Sequence, residues 1–180
     1  MKLYLVRHGQ TNYNELGLCN SDPKVDVHLT KSGIEQARKL AKQLKNVDIE
    51  QVFVSELKRT EQTAQIVNKY HNAPVTVDAR LNDIRFGYEG KHYSEYHSAL
   101  DKADDKWTAR FNSGESIKDL RERAQDFIDD LKTKNYKTVL IVTSGGVIQA
   151  IYGILSNQSI EEAWGFRPDK GSCVELNLEL

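Results

Sequence analysis

The sequence predicts an α/β protein, a three-layer α/β/α sandwich whose central sheet is mostly parallel. Short β-rich runs alternate with amphipathic helical patterns, an order typical of parallel strands joined by helices that cover both faces of a sheet. The clearest run is Thr138–Thr143, whose uninterrupted Val139–Val142 is typical of a strand buried on both sides. A length of 180 residues fits one domain covering 1–180.

The first half of the chain contains three predicted strands and two predicted helices. Lys2–Val6 is a short apolar run, and the polar stretch 10–28 that follows predicts a long loop. A helix begins near Thr30 or Ser32, because Ser32 and Glu35 have capping-box spacing. The later elements of this half are a strand over 51–55, a helix over 57–70 and a strand over 75–77.

The second half is less regular at its start. Residues 78–111 mix aromatic, polar and charged residues and predict short helices with a lid-like excursion. Ser116 with Asp119 offers a helix start, and the helical period continues to Leu131. After the strand at 138–143, Gly145-Gly146 opens a helix to about Leu155, and alternation over 173–178 predicts a last strand.

Composition narrows the classes of partner. The formal net charge is −1, with acidic and basic residues mixed along the chain, so neither nucleic acid nor an anionic membrane is indicated as a partner. No stretch approaches the roughly 20 apolar residues needed to cross a bilayer. Cys19 and Cys173 have no metal-binding spacing, and we expect reduced thiols and a cytoplasmic location. The oligomeric state is left open, and a homodimer is compatible with the sequence.

Candidate chemical groups follow the predicted strands. Arg7-His8-Gly9 ends the first strand, Ser55 ends the second, and Ser144-Gly145-Gly146 ends the strand at 138–143. In a parallel sheet these carboxyl ends share one edge, so we expect the three segments to converge.

Four residues have the chemistry of a phosphate site. A neutral imidazole such as His8 can attack phosphorus, and Arg7 beside it can present a planar fork to phosphate oxygens. Arg59 falls in the first turn of a helix, where anions are favoured, and Asp83 could protonate a leaving oxygen. Alone, each has an ordinary alternative: a strand-end histidine, a surface arginine or a turn aspartate.

Five motifs together resemble the histidine phosphatase superfamily, in the branch that contains cofactor-dependent phosphoglycerate mutases and small broad-specificity phosphatases. The resemblance runs from residue 3 to about 155, and its motifs are Arg7-His8-Gly9-Gln10-Thr11 with Asn14, 28–37, 55–64, 81–90 and 114–123. It implies a phosphoglycerate mutase-like fold and a small phosphorylated metabolite as substrate.

The resemblance also implies roles for individual residues. His8 would be the phosphorylated nucleophile and Asp83 the proton donor, where the family more often has glutamate. The phosphoryl oxygens would be held by Arg7, Asn14, Arg59, Ser144 and Gly145. No metal and no cofactor are implied, because two arginines can supply the positive charge.

Position 144 departs from the family pattern. The family usually has a second histidine where this chain has Ser144. A serine offers a hydroxyl donor without positive charge, and losing one preorganised donor typically costs about 10²–10³ in rate. His28, His71, His92 and His97 are candidates to compensate, with His92 favoured because it follows the Asp83 loop.

Three functions remain open at this point. We favour phosphomonoester hydrolysis through a phosphohistidine, weakened by Ser144, because the chain is short for the insertions of the mutase branch. The alternatives are a catalytically impaired protein that binds phosphorylated ligands and, less favoured, a phosphoglycerate mutase. Tyr93, Tyr96 and Trp107 either contact the substrate or pack within the lid.

Overall fold

Five strands form one sheet in the computed structural model, which describes residues 1–179. The strands are β1 (Lys2–Arg7), β2 (Gln51–Val54), β3 (Val75–Val77), β4 (Thr138–Thr143) and β5 (Cys173–Asn177). They are ordered β3-β2-β4-β1-β5, and only β5 runs antiparallel to its neighbour. The predicted mostly parallel sheet is therefore confirmed.

Seven α-helices connect and flank these strands within residues 1–179. They are α1 (Asn12–Leu16), α2 (Lys31–Leu44), α3 (Lys58–Asn68), α4 (Tyr93–Asp101), α5 (Ile117–Lys132), α6 (Gly145–Leu155) and α7 (Ile160–Trp164), with a short 3₁₀ helix at Ala79–Leu81. None of them is long and apolar enough to cross a membrane.

The two faces of the sheet carry separate hydrophobic cores. On one face Leu5 and Ile141 pack with buried side chains of α5 and α6. On the other face Val6 and Val142 pack with those of α2 and α3. Because neighbouring residues of a strand point to opposite faces, β1 and β4 contribute alternately to both cores. The result is the predicted α/β/α sandwich.

The start of α2 shows why one capping residue is used and another is not. Thr30 is the N-cap, and its side chain accepts a hydrogen bond of 3.1 Å from the Gly33 amide. Ser32 lies inside the helix, so the predicted capping box of Ser32 with Glu35 is wrong. At α5 the predicted pair does form, because Ser116 and Asp119 cap each other's backbone amides.

Two short helices were not predicted. The expected loop over 10–28 contains α1, which is capped by Thr11, and the segment after α6 contains α7, which is capped by Ser159. Both span five residues, too few for the hydrophobic period to be visible. The mixed segment 78–111 contains the 3₁₀ helix and α4.

Candidate active site

The carboxyl ends of β1, β2 and β4 meet at one cavity of about 310 Å³. His8 directly follows β1, and Arg59 lies in the first turn of α3, which follows β2. Ser144 follows β4 and is the N-cap residue of α6. The sequence-predicted residues that line the cavity are Arg7, His8, Asn14, Arg59, Asp83 and Gly145.

The imidazole of His8 is held in one orientation. Its main-chain amide donates to the Thr143 carbonyl at 3.0 Å, and its Nδ1 lies 2.8 Å from the Gly9 carbonyl oxygen. A carbonyl oxygen can only accept, so Nδ1 carries the proton and Nε2 keeps its lone pair. Burial, together with the positive charge of Arg59, lowers the pKa of His8 well below its usual value. The ring is therefore neutral near pH 7.

Arg59 contacts most of the other polar residues of the site and is 3% exposed. Its Nε donates to His8 Nε2 at 3.1 Å. Its Nη2 donates to Asp83 Oδ2 at 3.1 Å and lies 3.4 Å from Ser144 Oγ. The same guanidinium donates to the side chain and the main-chain oxygen of Asn20. One arginine thus joins four separate segments of the chain.

Hydrogen bonds from neighbouring segments hold Asp83 and the loop that carries it. Its Oδ1 accepts from the Ile84 amide at 3.0 Å, while Oδ2 takes the ion pair with Arg59. Arg123 of α5 donates to the main-chain oxygen of Asp83 and forms an ion pair with buried Glu115. Thr143 anchors the loop from the sheet by donating to the Leu81 carbonyl at 2.6 Å.

Arg7 has an unused donor at the site. Its Nη1 donates to the Pro168 carbonyl at 2.7 Å, whereas its buried Nε has no hydrogen-bond partner within residues 1–179. A Cβ on Gly145 would lie 3.2 Å from that Nε, so the glycine lets the guanidinium approach the start of α6. A buried donor without a partner is costly, and an anionic ligand would remove this cost.

Ser144 and Asn14, the other two polar side chains predicted to bind phosphate, make different contacts. Ser144 makes no side-chain capping bond to α6, and its hydroxyl instead faces Arg59. Asn14 uses Oδ1 to accept from the Thr11 amide at 3.2 Å, which leaves its NH₂ donors for a ligand in the cavity. Within residues 1–179 no group of three His, Cys, Asp or Glu side chains is placed to hold a metal ion.

Several cavity residues were missed from the sequence. Asn20 lies in the stretch 10–28 that the sequence predicts as a loop. Its side-chain oxygen accepts from Arg59 Nη1, and its Nδ2 donates to Glu89 Oε1 at 2.7 Å. Gln149 of α6 and Arg167 also line the cavity. No local pattern could have identified Asn20, because Arg59 and Glu89 are 39 and 69 residues away in sequence.

Four histidines are candidates to compensate for the missing second imidazole, and three of them, His28, His71 and His92, lie outside the cavity lining. His97 lines the cavity, whereas the favoured His92 does not and is the N-cap of α4. His92 Nδ1 bonds the side chain and the amide of Ser94. The expectation that His92 faces the phosphate site is therefore wrong, because the helix start uses its ring.

One part of this cavity is lined by the neutral imidazole of His8, the guanidinium groups of Arg7 and Arg59 and the carboxylate of Asp83. Arg167 and His97 also line the cavity. A tetrahedral oxyanion bound here could accept hydrogen bonds from the guanidinium groups.

Comparisons with known proteins identify the family of the chain. Residues 3–179 match the model of the histidine phosphatase superfamily (branch 1). The adenosylcobalamin/alpha-ribazole phosphatase of Escherichia coli K12 is 32% identical over 188 residues, covering 98% of this chain and 91% of that protein. Phosphoserine phosphatase 1 of Hydrogenobacter thermophilus is 26% identical over 186 residues, covering 99% of this chain and 87% of that protein.

A solved structure extends the likeness to three dimensions. The crystal structure of the alpha-ribazole phosphatase from Shigella flexneri superposes with a TM-score of 0.88 at 31% sequence identity, covering 99% of this chain and 91% of that one. Family model, relatives and fold all agree, and the chain belongs to branch 1 of the histidine phosphatase superfamily.

Proposed function

We propose that this protein hydrolyses the phosphomonoester of a small metabolite through a phosphohistidine formed on His8. The observation that carries the proposal is the Nε2 lone pair of His8, which lies 3.1 Å from Arg59 Nε in the cavity that also holds Asp83. Phosphatases are among the named relatives of comparable length. The neutral form of His8 favours nucleophilic attack over proton transfer.

Two steps return the site to its starting state. In the first, His8 Nε2 forms a bond to phosphorus, the bond from phosphorus to the leaving oxygen breaks, and Asp83 passes the proton of the substrate monoanion to that oxygen. In the second, water attacks the phosphohistidine, the bond from phosphorus to Nε2 breaks, and Asp83 takes a proton from the water and passes it to the departing phosphate. Both residues then regain their original protonation.

Substrate must first displace existing hydrogen bonds. Arg59 donates both to the nucleophilic nitrogen and to the acid, so phosphoryl oxygens would take over its N–H groups and free both partners. The guanidinium of Arg7, which also lines the cavity, would take another phosphoryl oxygen. Asn14 and the Gly145 amide at the start of α6 would supply neutral donors.

Ser144 lowers the expected rate. Its hydroxyl provides one neutral donor where the resemblance implies an imidazole, and the loss should cost about 10²–10³ in turnover. This residue also supports the second candidate function, an impaired protein that binds phosphorylated ligands without turning them over. A mutase is the weaker alternative, since it must retain and reorient a phosphorylated intermediate.

Hydrolysis of an aryl phosphate by three forms of the protein separates these functions. We expect slow turnover by the wild type, none by His8→Ala and faster turnover by Ser144→His. Turnover that appears only in Ser144→His would favour the binding protein. Full activity in His8→Ala would contradict the mechanism, and acid-labile phosphate on His8 after a quench would support it.

The segment 78–111 is proposed to act as a lid over the substrate. It contributes Phe86, Tyr93, Tyr96 and His97 to the cavity wall. A change in amide exchange over α4 when phosphate analogues bind would test the idea, and unchanged exchange would contradict it.

We further propose a homodimer and a cytoplasmic location. The dimer is supported by edge strand β3, on which Val75 and Val77 are 51% and 59% exposed. Light scattering should give twice the chain mass for the wild type and the monomer mass for Val77→Lys. The location is supported by two unbridged thiols, Cys19 and Cys173, and cell fractionation tests it.

A further inference from the structure

The position of Asp83 marks the side of the cavity where a leaving group would lie, because a proton donor must reach the leaving oxygen. Trp164 lies beside that carboxylate. A Cβ built on Gly146 would stand 3.7 Å from Trp164 Cη2 and 3.8 Å from Asp83 Oδ1. The indole ring and the acid therefore face the same gap, which Gly146 leaves open.

Another part of the cavity wall is aromatic and consists of Phe86, Tyr93, Tyr96 and His97. The Tyr93 and His97 rings are stacked with centroids 6.0 Å apart and planes 24° apart. Phe86 supports Tyr93 and Tyr96 edge to face, at centroid distances of 5.4 Å and 4.8 Å. Such packing keeps the rings in place, so these side chains would lose little entropy when a flat apolar group binds.

The charges near this wall exclude one kind of leaving group. Asp83 is the single acidic side chain among the described residues that line the cavity, and it already pairs with Arg59. The charge beyond the phosphate end is positive: exposed Arg167, whose guanidinium carbon lies 5.9 Å from the centroid of the Trp164 ring. A substrate ammonium would meet a cation here and no free carboxylate.

We propose that Trp164, with the wall formed by Phe86, Tyr93, Tyr96 and His97, is a leaving-group subsite that selects flat, apolar alcohols and rejects alcohols bearing an ammonium group. Phosphate esters of ring-bearing alcohols are thus the substrate class, and aminoalkyl phosphates such as phosphoethanolamine are poor substrates. The selectivity in turnover rests on the proposed function, whereas the selectivity in binding does not.

Two esters of primary alcohols test the subsite with leaving groups of similar chemistry. The kcat/KM for 2-phenylethyl phosphate should exceed that for phosphoethanolamine at least about tenfold, since a buried ring gains from apolar contact and an unpaired ammonium loses hydration. Equal values, or a preference for phosphoethanolamine, would overturn the proposal.

Removal of the Trp164 indole should lower kcat/KM for an ester with a ring in its leaving group more than kcat/KM for an ester without one. In Trp164→Ala the ratio of kcat/KM for 2-phenylethyl phosphate to that for methyl phosphate should fall about tenfold. Tyr70→Ala, which removes an exposed ring outside both the cavity lining and segment 78–111, should keep the wild-type ratio. Equal losses with both esters in Trp164→Ala would assign the indole a structural role and overturn the subsite.

Binding measurements test the subsite independently of the proposed enzymatic function. If no ester is hydrolysed, the enzyme proposal fails, and calorimetry with two phosphonates still tests the subsite. Tighter binding of 3-phenylpropylphosphonate than of 3-aminopropylphosphonate would support it, and equal affinity would overturn it.

Discussion

The Nε of Arg59 donates to Nε2 of His8 over 3.1 Å, so the lone pair of the proposed nucleophile is already hydrogen-bonded within the protein. The same guanidinium holds the carboxylate of Asp83 at 3.1 Å. An anionic ligand would therefore exchange with protein partners of Arg59, and the strength of these contacts sets part of the cost of binding.

Replacement of Arg59 should change the titration of His8. Arg59→Met removes a cation whose charge lowers the pKa of His8, so that pKa should rise, while burial still keeps it below the usual value. Histidine NMR titration measures this change. The exposed Arg38→Met is a matched control that should leave the His8 signals unaltered. A fall in the pKa of His8 in Arg59→Met would contradict this electrostatic account.

Stability should fall at acidic pH through His8. Its folded pKa is below the unfolded value of about 6.5, so below that pH the unfolded state binds a proton that the folded state does not. The contribution is thus fully present above pH 6.5 and is lost as the pH falls, at up to about 1.4 kcal/mol per pH unit. His71, whose pKa burial also lowers, should contribute in the same direction.

Urea denaturation of the wild type and His8→Asn at pH 7 and pH 5 checks this expectation. The variant should lose less stability between the two pH values than the wild type. His28→Asn, at an exposed position, should retain the wild-type difference. An equal loss in the wild type and His8→Asn would contradict the assignment.

Gln149 should position the segment that orients Arg7. Its Nε2 donates to the Trp164 and Phe166 carbonyls at 2.7 and 2.6 Å, and Pro168 further along accepts from Arg7. In Gln149→Met both carbonyls lose this donor, so we expect a loss of about 1–3 kcal/mol in stability. The KM for phosphomonoesters should also rise, as measured by steady-state kinetics.

Two variants control for this effect. Gln65→Met, on an exposed face of α3, should change neither stability nor KM. Gln149→Glu should be more damaging than Gln149→Met, because a carboxylate would face two carbonyl oxygens. Wild-type KM in Gln149→Met would remove the link between this residue and Arg7.

Gly33 should resist substitution by alanine. A Cβ at this position would lie 2.1 Å from the Gln10 carbonyl oxygen, a backbone atom that cannot move without shifting the segment after His8. We expect Gly33→Ala to cost about 1–3 kcal/mol in stability. Thermal denaturation measures the loss, and Gly165→Ala, whose Cβ would lie 3.3 Å from its nearest neighbour, is the milder comparison. Equal melting temperatures for both variants would contradict the steric argument.

The fold could be predicted from the sequence largely because its long elements carry a strong periodic signal. The run Val139–Val142 and the helical stripe of α5 show directly which residues face the core. The rule that the carboxyl ends of parallel strands share one edge predicted that the segments after β1 and β4 converge, and the resemblance predicted that Arg59 lies with His8.

Other features depend on contacts between distant segments and leave no local signal. Thr30 caps α2 in place of Ser32 where the Gly33 backbone packs against Gln10. The role of Asn20 depends on hydrogen bonds to Arg59 of α3 and to Glu89. The role of Gln149 depends on its hydrogen bonds to carbonyl groups of a later segment. A buried amide in a polar sequence looks like any other polar residue until its partners are known.

The hydrogen bond from Arg7 to Pro168 joins positions 161 residues apart, and Gly171 donates to the carbonyls of both Arg7 and His8. The segment at Arg7 and His8 thus depends on one that is synthesised 161 residues later. A nascent chain on the ribosome lacks these contacts until that later segment emerges, so the cavity is incomplete until then. Folding of this region must also close a loop of that length, and contacts of such large sequence separation favour slow folding.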